Sequence, residues 1–154
     1  MQTITVKEVE YLAFRLAKEM MSFNEPIPDF STRFPNILES CLATPFQSFS
    51  KKSFYPTLTS KASILFYLMI KNHPFQNGNK RIAITTLFAF LYENKKWLRV
   101  DTQELYNFTV WIASSPSNLK EETVKAIEKF LTLHVKIDAT RLGAFDTIRT
   151  EREK

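Results

Sequence analysis

Nine consecutive residues hold the densest chemistry in the chain: His73-Pro74-Phe75-Gln76-Asn77-Gly78-Asn79-Lys80-Arg81. A histidine takes a proton from an incoming hydroxyl near neutral pH. Gly78 lets backbone approach a ligand closely. Lys80 and Arg81 add two cations, and the planar guanidinium of Arg81 offers a fork for phosphate oxygens. The cluster runs directly into IAITTLFAFLY, residues 82–92, where nine of eleven residues are apolar and the other two are threonines. A helix starting there leaves first-turn N–H groups unpaired at the positive end of its macrodipole. Glycine, two cations and a helix start together make a polyphosphate cradle, with His73 placed as the base.

The rest of the chain has to position that cradle. Thr5 and Glu8 have capping-box spacing, and Val6, Val9, Ala13, Leu16, Ala17 and Met20 repeat at helical intervals, which predicts a helix over 6–21. Pro26 and Pro28 enforce a loop, and a weaker helix is expected from Phe34 or Pro35 to Leu42. TPFQSFSKKSFYP, residues 44–56, has no helical period and reads as a long loop or short hairpin. A third helix fits 59–71, with Ala62, Leu65, Phe66 and Met69 as its buried stripe. Pro74 disfavours helical geometry at His73, so that helix should stop near Asn72. The segment 82–92 is apolar on every side and belongs in the middle of the domain. An extended piece at 97–100, a helix over 103–113 capped by Asp101 or Thr102, and a last helix over 119–135 complete the pattern. The expected fold is all-α, about six helices around a buried central one.

Composition agrees. The chain has 154 residues, 44% hydrophobic and 24% charged, which is ordinary usage for one globular domain. Only Gly78 and Gly143 occur, which argues against a glycine-rich phosphate loop. The net charge of +5 favours anionic partners. Lys and Arg are dispersed along the chain, so nucleic-acid binding is the weaker reading. Cys41 has no second cysteine to pair with, which points to a reducing compartment and a small buried hydrophobe. No apolar run is long enough for a membrane span, and MQTITVKEVE lacks the layout of a secretion signal. The charged stretch 138–154 reads as a frayed helix or a disordered end.

Several residues also have plain structural readings. Asparagine is among the best helix N-caps, so Asn77 reads as a cap. His134 lies on an apolar-rich helix with no second ligand in view and reads as a packed or surface histidine. Ser117 or Asn118 would cap the last helix, with Glu121 and Glu122 as first-turn anions. The aromatics of 46–55 would hold their loop against the domain.

HPFQNGNKR resembles the Fic/Doc (Fido) motif H-x-F-x-[D/E]-[G/A]-N-[G/K]-R, departing from it at one defined position. LTSKASILFYLMIKNHPF before it and FLYENKKWL after it resemble the Doc (death-on-curing) branch. The similarity spans residues 4–135 and implies a Fido domain over 1–137 followed by a tail, 138–154. It implies that His73 is the general base, that Phe75 anchors the loop in the core, and that Gly78 and Asn79 form the anion hole. Lys80 and Arg81 would hold nucleotide phosphates. Lys51, Lys52, Ser53 and Phe54 would lie in a flap that positions the target. Ser117 to Glu121 echoes the S-x-x-x-E of the family's inhibitory helix, although the structural reading is preferred.

Members that transfer AMP carry glycine where Lys80 stands and a second arginine where Ile84 stands. Both differences resemble Doc toxins. The resemblance therefore implies a cytoplasmic protein phosphotransferase using ATP or another nucleoside triphosphate with Mg²⁺. Its target would be a Thr or Ser hydroxyl on a protein such as an elongation factor of the Tu type, and an antitoxin would neutralise it. Asn77 replaces the family's magnesium-ligating acid, and an amide oxygen brings no charge to a hard cation. Weakened catalysis is the expectation. AMP transfer and a silent nucleotide- or protein-binding module are the alternatives. Asn77-Gly78 is also a dipeptide prone to deamidation.

Overall fold

The structure, a computed structural model, describes residues 1–20 and 26–136. Met21 and the stretch 138–154, with Gly143, lie outside the described residues.

Among the described residues, six helices build the domain. The first, α1, is a continuous rod of three parts: Val6–Glu8, a π-helical Val9–Ala13, and Phe14–Met20. Thr5 caps it as the spacing predicts, with Thr5 Oγ1 accepting from the Glu8 N–H while Glu8 reaches back to the Thr5 N–H. After a 3₁₀ turn at Phe30–Thr32, α2 covers Pro35–Ala43 and α3 covers Leu58–Lys71. Then come α4 (Asn79–Glu93), α5 (Thr102–Ser114) and α6 (Lys120–His134). Asp101 caps α5. The last helix departs from expectation: Ser117–Leu119 forms a 3₁₀ turn, Leu119 stands at the cap, and neither Ser117 nor Asn118 caps α6. Glu121 and Glu122 do occupy its first turn. Among the described residues, no helix is long and apolar enough to cross a membrane.

Strands are minor. β1 (Ser48–Phe49) and β2 (Lys52–Ser53) form an antiparallel hairpin with Ser48 opposite Ser53. β3 (Trp97–Leu98) pairs with β4 (Val135–Lys136), tying the end of α6 to the exit of α4. The extended piece read near Trp97 is therefore a real strand.

The apolar run 82–92 is central: every residue from Ile82 to Tyr92 is buried except Phe88, which is partly so. The structure adds a second central helix. In α3 the whole stretch from Lys61 to Ile70 is buried, not only the stripe at Ala62, Leu65, Phe66 and Met69. The reason is packing on several sides, since α2, α4, α5 and α6 all touch α3. Cys41 is fully buried on α2, and burial pushes its thiol up to about 11, so it is an inert core group.

Candidate functional site

The loop from Asn72 to Gly78 joins the two central helices. Asn72 is the C-cap of α3, its N–H bonded to the Leu68 carbonyl. His73 follows with φ of +49°, in the left-handed region. That conformation commonly ends helices and is normally taken by glycine. In an L-residue it costs about 1–2 kcal/mol. Such outliers cluster at functional sites when the surroundings hold them in place. The His73 side chain is exposed.

Two anchors hold the loop. Phe75 is buried in a cluster with Phe14 and Phe30, its ring centroid 5.0 Å from Phe14 and 6.1 Å from Phe30. Asn79, in the first turn of α4, turns its buried side chain back onto Phe75. Its Oδ1 accepts from the Phe75 N–H at 3.1 Å, and its Nδ2 donates to the Phe75 carbonyl at 2.9 Å. The same Nδ2 lies 3.5 Å from His73 Nδ1. The Asn79 amide therefore ties His73, Phe75 and the helix start into one unit.

Gly78 is the N-cap of α4, with φ of +70° and no side-chain capping bond. Asn77 is exposed one residue earlier and does not cap the helix. Position 78 cannot bear a side chain, because an added Cβ would lie 2.7 Å from the Pro26 carbonyl oxygen and 3.2 Å from Ile27 Cδ1. Strain and backbone contact act together, so Gly78→Ala is expected to cost about 2–4 kcal/mol in a urea unfolding series.

The two cations diverge. Lys80 is half-buried at the second helical position of α4. Arg81 is only 7% exposed and points inward, where Nη2 donates to the Ala17 carbonyl near the end of α1. The structure therefore places Arg81 as a brace between α1 and the motif helix.

The hairpin carrying Lys51, Lys52, Ser53 and Phe54 lies at the other end of these helices. Lys61, near the start of α3, donates through Nζ to the Pro45 carbonyl and Ser53 Oγ, each at 3.1 Å, and to the Tyr55 carbonyl. Phe46 packs on Phe90, near the end of α4. At 1.5 Å per residue, the ten residues from Lys61 to the end of α3 at Lys71 span about 15 Å, and His73 lies beyond that end. The hairpin is thus rooted at the pole opposite His73, and the structure does not bring these four residues to the motif loop. Phe49 and Phe54 are 73% and 59% exposed, so of the aromatics in 46–55 Phe46 and Tyr55 are the ones that pack on the core, beside the Lys61 bonds.

Other residues flank the loop instead. The Phe34 N–H donates to the Pro74 carbonyl at 2.9 Å, laying the entry to α2 along the motif. Asn36, Ile37, Ser40 and Asn72 line a shallow cleft of about 360 Å³ beside it. Sequence reading missed this neighbourhood and missed Lys61. A lysine on the same helix face as Leu65 and Leu68 is the signal that could have revealed the second. Glu121 faces a separate groove with Phe54 and Tyr55. His134 is a packed histidine, its ring tilted against Phe130 at 4.3 Å with Nδ1 2.7 Å from the Phe130 carbonyl.

No curated protein and no solved structure matches the chain. The family model described as Fic/DOC family matches residues 3–91, from the approach to α1 through most of α4. That span is more than half of the 154 residues and contains the whole His73–Arg81 loop and its anchors. The mostly helical architecture around α3 and α4 is that of an all-α Fido fold, and the chain belongs to the Fic/DOC family.

Proposed function

We propose that the chain is a Doc-like phosphotransferase that moves a phosphoryl group from a nucleoside triphosphate to a Thr or Ser hydroxyl of a protein. The observation carrying this reading is the start of α4, where an uncapped helix N-terminus adjoins Lys80 and an exposed histidine held in a strained backbone. Phosphoryl transfer asks mainly for positioning and charge stabilisation, which such a tip supplies. The hydroxyl oxygen bonds to the terminal phosphorus, the bond to the nucleoside diphosphate oxygen breaks, and His73 takes the hydroxyl proton. First-turn N–H groups and Lys80 receive the phosphate oxygens. Arg81 acts through α1 as a positioning residue. Lys80 in place of glycine and Ile84 in place of a second arginine favour phosphoryl over AMP transfer. In this reading the target is an elongation factor of the Tu type, and a small antitoxin covers the motif face.

The donor set does not fit magnesium unaided. From Asn72 to Arg81 there is no Asp or Glu. Among the described residues no group of three or more His, Cys, Asp or Glu side chains comes together. Asn77 offers one neutral amide oxygen, so any divalent ion would depend on nucleotide phosphates for its charge. The same feature favours the second reading, a catalytically silent Fido module that keeps its anion-binding tip.

Labelled nucleoside triphosphates incubated with the chain and cell lysate distinguish these readings. The expected result is a modified protein heavier by one phosphoryl group, labelled from the terminal phosphate. Label from the α-phosphate with the mass of AMP would establish nucleotidyl transfer instead. Saturable nucleotide binding without any labelled product would establish the silent module.

A further inference from the structure

The Asn79 amide has one orientation that satisfies both of its bonds to Phe75, and its nitrogen faces His73. Swapping the amide oxygen and nitrogen would set Nδ2 against the Phe75 N–H and Oδ1 against the Phe75 carbonyl, donor on donor and acceptor on acceptor. The two bonds to Phe75, at 3.1 and 2.9 Å, therefore settle which atom is nitrogen. That nitrogen carries two hydrogens and acts only as a donor. One hydrogen goes to the Phe75 carbonyl, which leaves the second for His73 Nδ1, 3.5 Å from the same nitrogen. A donor facing Nδ1 requires Nδ1 to be the acceptor, and in a neutral imidazole the proton then sits on Nε2.

We propose that Asn79 is a positioning residue that holds resting His73 as the Nε2–H tautomer. The ring then presents an N–H donor on its open side and keeps its single lone pair engaged by Asn79. In this state the site is set to receive an anion at Nε2. Taking a hydroxyl proton at Nε2 first requires the hydrogen to move from Nε2 to Nδ1, with loss of the Asn79 contact. The tautomer assignment stands on geometry alone, and its consequence for proton transfer rests on the general-base reading of His73.

The second histidine supplies an internal reference of opposite sense. His134 Nδ1 is 2.7 Å from the Phe130 carbonyl oxygen, a pure acceptor, so His134 carries its hydrogen on Nδ1. Two-bond ¹H–¹⁵N correlation spectra of the full chain labelled at histidine report both tautomers without any substrate. His134→Gln assigns the two rings, and the spectra are recorded at alkaline pH, where imidazole is neutral.

The expected result is Nε2–H for His73 and Nδ1–H for His134. In Asn79→Ala, His73 should become a mixture of both tautomers while His134 stays unchanged. An Nδ1–H pattern for His73 in the wild type would overturn the proposal, as would the same Nε2–H population in Asn79→Ala. If the variant does not fold, the wild-type spectrum still overturns the proposal by an Nδ1–H pattern or by the mixture of tautomers that an unconstrained imidazole shows. Loss or survival of phosphoryl transfer does not enter this measurement, so failure of the base reading is seen separately, as transfer that persists without His73.

Discussion

His73→Gly is expected to lower phosphoryl transfer by about 10²- to 10⁴-fold, the usual contribution of a positioned acid or base, while raising thermal stability. The two effects have one cause. His73 occupies a left-handed backbone position at the end of α3, where glycine carries no penalty. Removing the Cβ relieves about 1 kcal/mol or slightly more, and for a domain of this size that shifts the melting temperature upward by roughly 2–4 °C. His73→Ala should lose the same activity without the gain, because alanine keeps the strain and the exposed imidazole contributes little packing. Turnover of labelled nucleotide and thermal unfolding of the three proteins check both halves. A glycine variant that melts higher and still transfers phosphate would show that the strained position serves only to end the helix.

The parts of this fold legible in the sequence are those governed by local chemistry. The capping box at Thr5 and Glu8 is a spacing, and the burial of α4 follows from nine apolar residues in eleven. The motif could be placed at a helix start because Pro74 stops α3 and the apolar run begins at Ile82.

What escaped depends on contacts distant in sequence. Nothing near Arg81 says that its guanidinium will meet the Ala17 carbonyl, 64 residues earlier. The hairpin turn at Ser50-Lys51 has φ of +51° and +66° without the Asn or Gly that such a turn normally demands. It is held instead from below, where the Lys61 ammonium gathers three oxygen acceptors, and its placement away from His73 follows from that root. Asn77 read as a cap because its residue type is right. Gly78 took the position because only glycine fits beneath the Pro26 carbonyl.

Asn77→Asp is expected to make nucleotide binding and transfer depend on magnesium, and this is the second large effect. On the proposed reading, phosphates at the wild-type loop would meet first-turn N–H groups, Lys80 and the neutral amide of Asn77, with no acidic group in the motif. Adding a carboxylate at this exposed position places a negative charge among phosphates. Without a divalent ion, the like charges repel and nucleotide affinity should fall. With magnesium, a carboxylate and phosphate oxygens together make the hard oxygen set that the ion prefers. Transfer should then rise on the order of 10²-fold, as expected for a new charge-stabilising contact at a reacting phosphate. Adding His73→Ala to Asn77→Asp should erase the gain, because charge stabilisation does not replace the proton acceptor.

Calorimetric nucleotide titrations with and without magnesium, followed by turnover, read the sign directly. If Asn77→Asp binds and turns over as the wild type does under both conditions, position 77 does not face the phosphates. The Asn77-Gly78 dipeptide gives the same chemistry a slow natural route. A sample whose activity grows on storage should show a matching one-dalton gain at Asn77 by peptide mapping, and Asn77→Gln, which deamidates poorly, should show neither.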